Sequence, residues 1–238
     1  MDEIKKICIC HYTPLKERKK FMIEQCQRYK IDDKLHFIEK FDRENIPENL
    51  VNLFDEKKLK KCEISLFLKH INAMGKIVND DYGIIMEDDT IFKDEFNKKF
   101  NNLTKILPQD FDILYVGVFP FYEYYKKKYN RENPIPDNAK KVGNFYDMKN
   151  TIVFPWTGNN KGTDFYIISK KCCKIFLDYI KFLMINKQKI NLPIDHFMGI
   201  FLFNKKANIY WGNEEISIHG SWGEGYNKNC VFKNSMGH

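Results

Sequence analysis

No stretch of this sequence is apolar over the length that a bilayer demands. The longest apolar helix that can be read, Ile175 to Ile185, is interrupted by Asp178 and Lys181 and falls short of the roughly 20 residues that cross a membrane. The opening residues, Met1 to Lys6, are charged and lead straight into a short strand, so they offer no signal-peptide hydrophobic region. Together these absences predict a soluble cytoplasmic protein without a transmembrane segment. Internal repeats are lacking too, as is any linker that would divide independent domains. Seven cysteines is an odd number, and Cys172-Cys173 are adjacent in a helical pattern where a disulfide has little to close, so the thiols read as free. Cys8-x-Cys10-His11 lacks a second ligand pair at zinc-finger spacing, which argues against structural zinc.

What is present suffices for a large core. The 238 residues are 43% hydrophobic and 15% aromatic, enough for one α/β domain spanning 1–238. A formal net charge of +7, from 39 basic and 32 acidic residues, is a moderate bias toward anionic partners and does not choose among them.

Strand and helix patterns alternate along the chain. A strand is read at Ile4–Cys10 and a helix at Lys16–Tyr29, with a strand at Leu35–Glu39 and a short helix after Pro47. A one-sided helix follows at Cys62–Val78, its apolar residues Ile64, Phe67, Leu68, Ile71, Met74, Ile77 and Val78 spaced by three and four. Tyr82 to Met86 is an apolar strand running directly into Glu87-Asp88-Asp89. Beyond it lie a helix from Phe96 to Leu107, a strand from Phe111 to Val118, a strand from Thr163 to Ile168, and a helix from Lys170 to Ile185 capped by Ser169. A helix after Pro193 and a strand at Ile209–Trp211 complete the pattern. The segment 119–151, rich in Tyr, Lys, Asn and Pro, has no sustained period and reads as a flexible loop or lid. Such an order implies a mostly parallel central sheet flanked by helices, with ligands bound beyond the carboxyl ends of the strands.

The acidic triplet sits at that edge. In extended chain, alternate residues project the same way, so Glu87 and Asp89 share a side while Asp88 points elsewhere. Crowded carboxylates call for a cation or several donors, and an oxygen-loving divalent ion such as Mn²⁺, with Mg²⁺ the alternative, suits them. The competing reading is a solvated acidic turn.

Four ordered segments carry a family likeness. EISLFLKHINAMGKIVNDDYGIIMEDDTIF, with Glu63, His70 and Glu87-Asp88-Asp89, resembles the central signature of glycosyltransferase family 25, which includes lipooligosaccharide and collagen galactosyltransferases. ICICHYTPLKERKKFM resembles that family's opening strand and Arg-bearing helix, GTDFYIISKKCCKIFL its Gly-Thr strand-helix unit, and LPIDHFMG its Pro-x-Asp segment. The sequence departs from the family where Lys69, in place of Ser, precedes His70, and where Leu66-Phe67 replace small residues. These changes sit on a helix and are expected to alter packing more than chemistry.

The resemblance implies a GT-A-like fold, a UDP-sugar donor and Mn²⁺ held by an Asp-x-Asp-type motif. Asp89 is then the direct metal ligand, with Glu87 or Asp88 contacting metal-bound water or the donor ribose, and His219 in ISIHGS the further ligand; a tail histidine without a ligand is the alternative. Asp195 is the candidate base that deprotonates an acceptor hydroxyl, against a plain role at a helix N-terminus. Tyr12 can stack on uracil. Arg18 can pair with phosphate, or belong to a solvated face with Lys16, Lys19 and Lys20. Thr163 and Asp164 are placed near donor hydroxyls, and Glu63 with His70 forms a buried polar pair supporting the metal strand. The expected reaction moves galactose or glucose from UDP-galactose or UDP-glucose to a glycan or hydroxylysine-type acceptor, with inversion, and acceptor choice is expected in 119–151. A noncatalytic nucleotide-sugar or carbohydrate-binding module of the same fold is the alternative. The aromatic and basic run Tyr122 to Tyr129 raises nucleic-acid binding, ranked last because no recognised nucleic-acid module surrounds it.

Overall fold

The computed structural model describes residues 4–116, 140–142, 145–147, 163–212 and 216–220. An eight-stranded sheet forms its centre, with strands β1 (Ile7–Cys10), β2 (Leu35–Ile38), β3 (Tyr82–Glu87), β5 (Ile113–Tyr115), β6 (Lys140–Val142), β7 (Phe145–Asp147), β8 (Phe165–Ser169) and β9 (Ile209–Gly212). Their spatial order is β2-β1-β3-β8-β5-β9-β7-β6. Six of the eight strands run in one direction; β8 and β7 run against them. The sheet is therefore mostly parallel by direction, yet β8 sits antiparallel between β3 and β5 at its centre. A separate two-stranded ribbon pairs β4 (Thr90–Phe92) with β10 (Ser217–His219).

Alternation along the strands divides the core into two layers. Cys8 and Cys10 of β1, Ile85 of β3, Tyr166 and Ile168 of β8, Ile113 and Tyr115 of β5, and Ile209 and Trp211 of β9 bury on one face. Ile7, Ile9, Ile84, Met86, Phe165, Ile167, Leu114 and Tyr210 bury on the other. Helices α3 (Lys61–Ile77), α5 (Lys170–Ile185) and α6 (Ile194–Asn204) cover the first face, and α1 (Lys16–Arg28) with α4 (Phe96–Lys105) the second. The short helix α2 (Glu48–Val51) follows Pro47. Both faces are closed because strands apolar on each side must bury both. Ser169 caps α5 as its position suggested, its hydroxyl accepting from Cys172 N at 3.1 Å. Close packing of α3 on β3 needs Gly83, where a Cβ would stand 2.7 Å from Ile77 Cγ1.

Part of the segment read as a loop or lid, 119–151, is sheet instead. Lys140–Val142 and Phe145–Asp147 pair with each other, and β7 pairs with β9. These strands are three residues long, too short for a period to show in sequence. The rest of that segment, including Tyr122 to Tyr129, lies outside the described residues. No helix among the described residues is long and apolar enough to cross a membrane.

Candidate functional site

Three strands meet at one end of the sheet. Parallel β1 and β3 finish there, delivering His11 and Tyr12 from one and Glu87, Asp88 and Asp89 from the other. Antiparallel β8 begins there, so Thr163 and Asp164 arrive beside the acids: Glu87 N donates to Asp164 O at 2.9 Å, and the Thr90 hydroxyl to the same carbonyl at 2.8 Å. Asp195 enters from the first turn of α6. The ribbon closes the far side, His219 pairing in register with Thr90 and Gly220 N donating to Asp89 O at 2.6 Å.

The three acids of the triplet separate by environment. Asp88 turns into the protein: its Oδ1 accepts from Arg18 Nη1 at 2.9 Å, and its Oδ2 from His11 Nδ1 at 2.8 Å and Tyr12 N at 3.2 Å. Arg18 Nη1 also lies 3.4 Å from Asp89 Oδ2, so one guanidinium bridges two buried carboxylates. Glu87 faces the other way. Its Oε1 accepts from the Thr163 hydroxyl at 2.7 Å and stands 3.8 Å from His70 Nε2.

Carboxylates crowd what remains. The Asp164 carboxyl is pushed well above the usual carboxylate range, first by burial and then by the charges of Glu87 and Asp89. Asp164 Oδ2 is buried without a hydrogen-bond partner among the described residues. Asp195 is likewise raised, chiefly by burial and further by Glu87, while neighbouring His196, 3.6 Å away, pulls it down. With its side chain 32% exposed, Asp195 is reachable from solvent while feeling the acids behind it. Among the described residues, no three His, Cys, Asp or Glu side chains are already gathered to hold a metal ion.

The remaining sequence-derived candidates fall as follows. Tyr12 is half-buried, its hydroxyl donating to Glu44 at 2.6 Å and accepting from Arg43 Nε at 3.1 Å, with the Arg43 guanidinium 4.8 Å from its ring centre. One ring face is therefore covered by Arg43. Arg18 is 4% exposed and occupies neither the solvated face of Lys16, Lys19 and Lys20 nor an open phosphate-facing position; it lies beneath Asp88 and Asp89. Its inward direction was available in the spacing, since positions 18, 22 and 26 share the helix face that buries Met22 and Cys26. Glu63 and His70 do not pair. Glu63 Oε2 accepts from Lys60 N at 2.7 Å, capping α3, while His70 stacks on Tyr166 and shares a 2.8 Å hydrogen bond with its hydroxyl. The side chain of His219 lies outside what is described.

Sequence reasoning passed over Lys69. Its ammonium is buried, bonded to Asp42 Oδ1 at 2.8 Å, Lys40 O at 2.9 Å and Ile38 O at 3.4 Å. Asp42 also accepts from the Thr13 hydroxyl. This ion pair ties α3 to the turn after β2 and thence to the Tyr12-Thr13 turn, which flanks the acids. Its signal was the departure from the family pattern at position 69, a lysine where packing alone would not place one.

Among solved structures, the chain is similar to a glycosyltransferase involved in the glycosylation of the major capsid of PBCV-1, at 8% identity and a TM-score of 0.47, covering 90% of this chain and 91% of that one. It is also similar to mouse xyloside xylosyltransferase 1 in its apo form, at 12% identity and a TM-score of 0.35, covering 77% of this chain and 64% of that one. No curated protein sequence matches. The model of glycosyltransferase family 25 (LPS biosynthesis protein) matches residues 5–198, a span that runs from β1 through the acidic triplet to Asp195, and the chain belongs to that family of glycosyltransferases.

Proposed function

We infer that the chain transfers a hexose, galactose or glucose, from a UDP-sugar to a glycan or hydroxylysine-type acceptor, in an inverting, metal-dependent reaction. The observation that carries this reading is that Glu87 and Asp89 end β3 beside the buried Asp164, whose carboxyl is raised first by burial and then by those two charges. Carboxylates crowded in this way are relieved by a divalent cation, and their oxygens suit Mn²⁺ or Mg²⁺. Glu87 and Asp89 would hold the ion, with His219, whose backbone is paired beside Thr90. Two or three protein ligands leave room for diphosphate oxygens. When bound, the cation supplies charge that stabilises the departing nucleotide diphosphate.

The chain's own residues divide the remaining work. Arg18 and His11 hold Asp88, and through it the turn that follows β3, so Asp88 serves as an anchor for the site. Thr163 orients Glu87. Asp195, across from the triplet, accepts the proton of the acceptor hydroxyl; a carboxyl raised above its usual range is better matched to that transfer at neutral pH. The Tyr12 ring, on the face away from Arg43, would stack on the nucleobase.

The test is UDP release across a panel of UDP-sugars, with Mn²⁺, with Mg²⁺ and with EDTA. Release confined to UDP-galactose or UDP-glucose and dependent on the ion supports the reading, and Asp89→Asn should abolish it while the thermal melt stays cooperative. Equal release in EDTA, or an active Asp89→Asn protein, overturns the metal assignment. Donor binding without UDP release under any acceptor makes the chain a noncatalytic nucleotide-sugar binder.

A further inference from the structure

Among the described residues, large exposed apolar side chains concentrate at the end of α5. Phe182 is 50% exposed, Met184 47% and Ile185 80%, three large apolar side chains at one helix terminus, while Leu183 between them is buried. Lys181 pairs back to Asp178 at 3.7 Å, and past it as far as Leu192 the charges are Lys187 and Lys189, with no acid. Lys205, at the end of α6, extends over Tyr179, 5.9 Å from its ring centre. The neighbouring turn carries Asp55 and Glu56 but also Lys57 and Lys58, so it does not offset the excess. A protruding apolar tip ringed by long cationic side chains is therefore present on an otherwise mixed surface.

Its position relative to the site follows from the chain path. Because β8 runs away from the site's edge, α5 starts at the opposite edge and returns, its 16 residues covering roughly 24 Å. Just past the tip, Ile190 bridges to Phe54, which packs on Phe67 at 5.2 Å. Phe67 lies one helical turn from His70, beside Glu87. The chain then reaches Asp195 within five residues. The tip and the candidate site thus lie at the same end of the molecule.

We propose that the α5 terminus docks on an anionic membrane surface, Phe182, Met184 and Ile185 entering the headgroup boundary while Lys187 and Lys189 meet lipid phosphates. Three side chains cover far less than the roughly 800 Å² that each partner buries in a stable protein interface, whereas interfacial insertion needs a few apolar side chains with cations around them. Lysine suits the second situation, since its stem lies along apolar surface and its ammonium stays with the headgroups. Docked in this way, the protein presents its sheet edge toward acceptors held at the membrane. The assignment stands on the surface alone and is independent of the donor or metal.

The experiment is co-sedimentation with vesicles of phosphatidylcholine, alone or mixed with phosphatidylglycerol, over a range of salt. Binding to the mixed vesicles at low salt is expected, with little to phosphatidylcholine alone. Lys187→Gln/Lys189→Gln should weaken it on the order of fivefold per lysine, and Phe182→Ser/Ile185→Ser by roughly tenfold or more. Lys16→Gln/Lys20→Gln, on α1 across the sheet, should change it little. Because all these positions are exposed, thermal melts should match the parent. Absence of binding to the mixed vesicles, equal loss in the α1 variant, or undiminished binding of the α5 variants overturns the proposal. So does a concentration-dependent dimer that Phe182→Ser/Ile185→Ser disperses, which would assign the tip to a second copy of the chain.

Discussion

Removing the guanidinium of Arg18 tests the scaffold of the site directly. In Arg18→Met the methylene volume is largely kept, but Asp88 and Asp89, whose side chains are only 8% and 6% exposed, lose the cation between them. Breaking one side of a buried ion pair costs about 3–5 kcal/mol. Asp88 keeps its bonds from His11 and from Tyr12 N, which places the expected loss near the lower end, about 3 kcal/mol. For a chain of this length that corresponds to a fall in Tm of roughly 6–12 °C. Urea denaturation of the parent, Arg18→Met, Asp88→Asn and the double variant measures the coupling. The double variant should be less destabilised than the sum of the singles by about 1–3 kcal/mol, because the second change removes the charge that the first left stranded. Added salt should alter these differences little, since the pair is shielded from solvent ions. A single-variant loss under about 1 kcal/mol, or additive singles, would refute the claim that this pair holds the acids in place.

Three further outcomes follow from the geometry. Asp195→Asn should lower kcat by at least about a hundredfold with donor affinity preserved. In the parent, activity should fall with acid through a pKa above the ordinary carboxylate range, because the raised Asp195 carboxyl protonates earlier as pH drops; a limb at the ordinary value in a kcat-pH profile excludes it as the base. Cys8, Cys26 and Cys173 are pushed by burial up to about 12, and Cys10 and Cys172 well above their usual value. Peptide-resolved thiol labelling at neutral pH should therefore modify Cys62 in the native protein and these five only in denaturant. Ser169→Ala removes the cap of α5 and should cost about 1 kcal/mol in urea denaturation, with no change in activity.

Periodicity made the helices legible. The pattern at Lys170–Ile185 matches α5, that read at Lys16–Tyr29 differs from α1 by one residue at its end, and that read at Cys62–Val78 differs from α3 by one residue at each end. Each has one apolar face of three or more turns, and that repetition is what sequence displays well. The run Tyr82 to Met86 gave β3 and placed Glu87-Asp88-Asp89 at its end for the same reason. Strand direction was not legible. A strand buried on both faces looks alike in either sense, so the reversal of β8, and with it the arrival of Thr163 and Asp164 beside Glu87, needed the structure. The β4 and β10 ribbon also escaped reading, being three residues per strand and joined across most of the C-terminal half. Within the site, the triplet was visible as charge in an apolar context. Its anchors, Arg18 and Lys69, were harder to see: helix spacing put Arg18 on the face of Met22 and Cys26, and Lys69 departed from the family pattern, yet each is easily counted with the surface cations until its burial is known.

The reversal of β8 also governs how this protein can diversify. Val116, just past β5, donates to Phe165 at the start of β8, so the chain leaves β5 and enters β8 at neighbouring points on the rim beside the acids, and in between it lays β7 and β6 along the edge of the sheet beyond β9. The connection 117–162 is thus held at both ends next to the candidate site and in its middle by the pairing of β7 with β9. Changing the parts of it outside 140–147 leaves the pairing of β3, β8, β5, β9 and β7 unbroken, which gives an evolving lineage, or a protein engineer, a way to alter the surroundings of the candidate site without rebuilding the sheet that carries it.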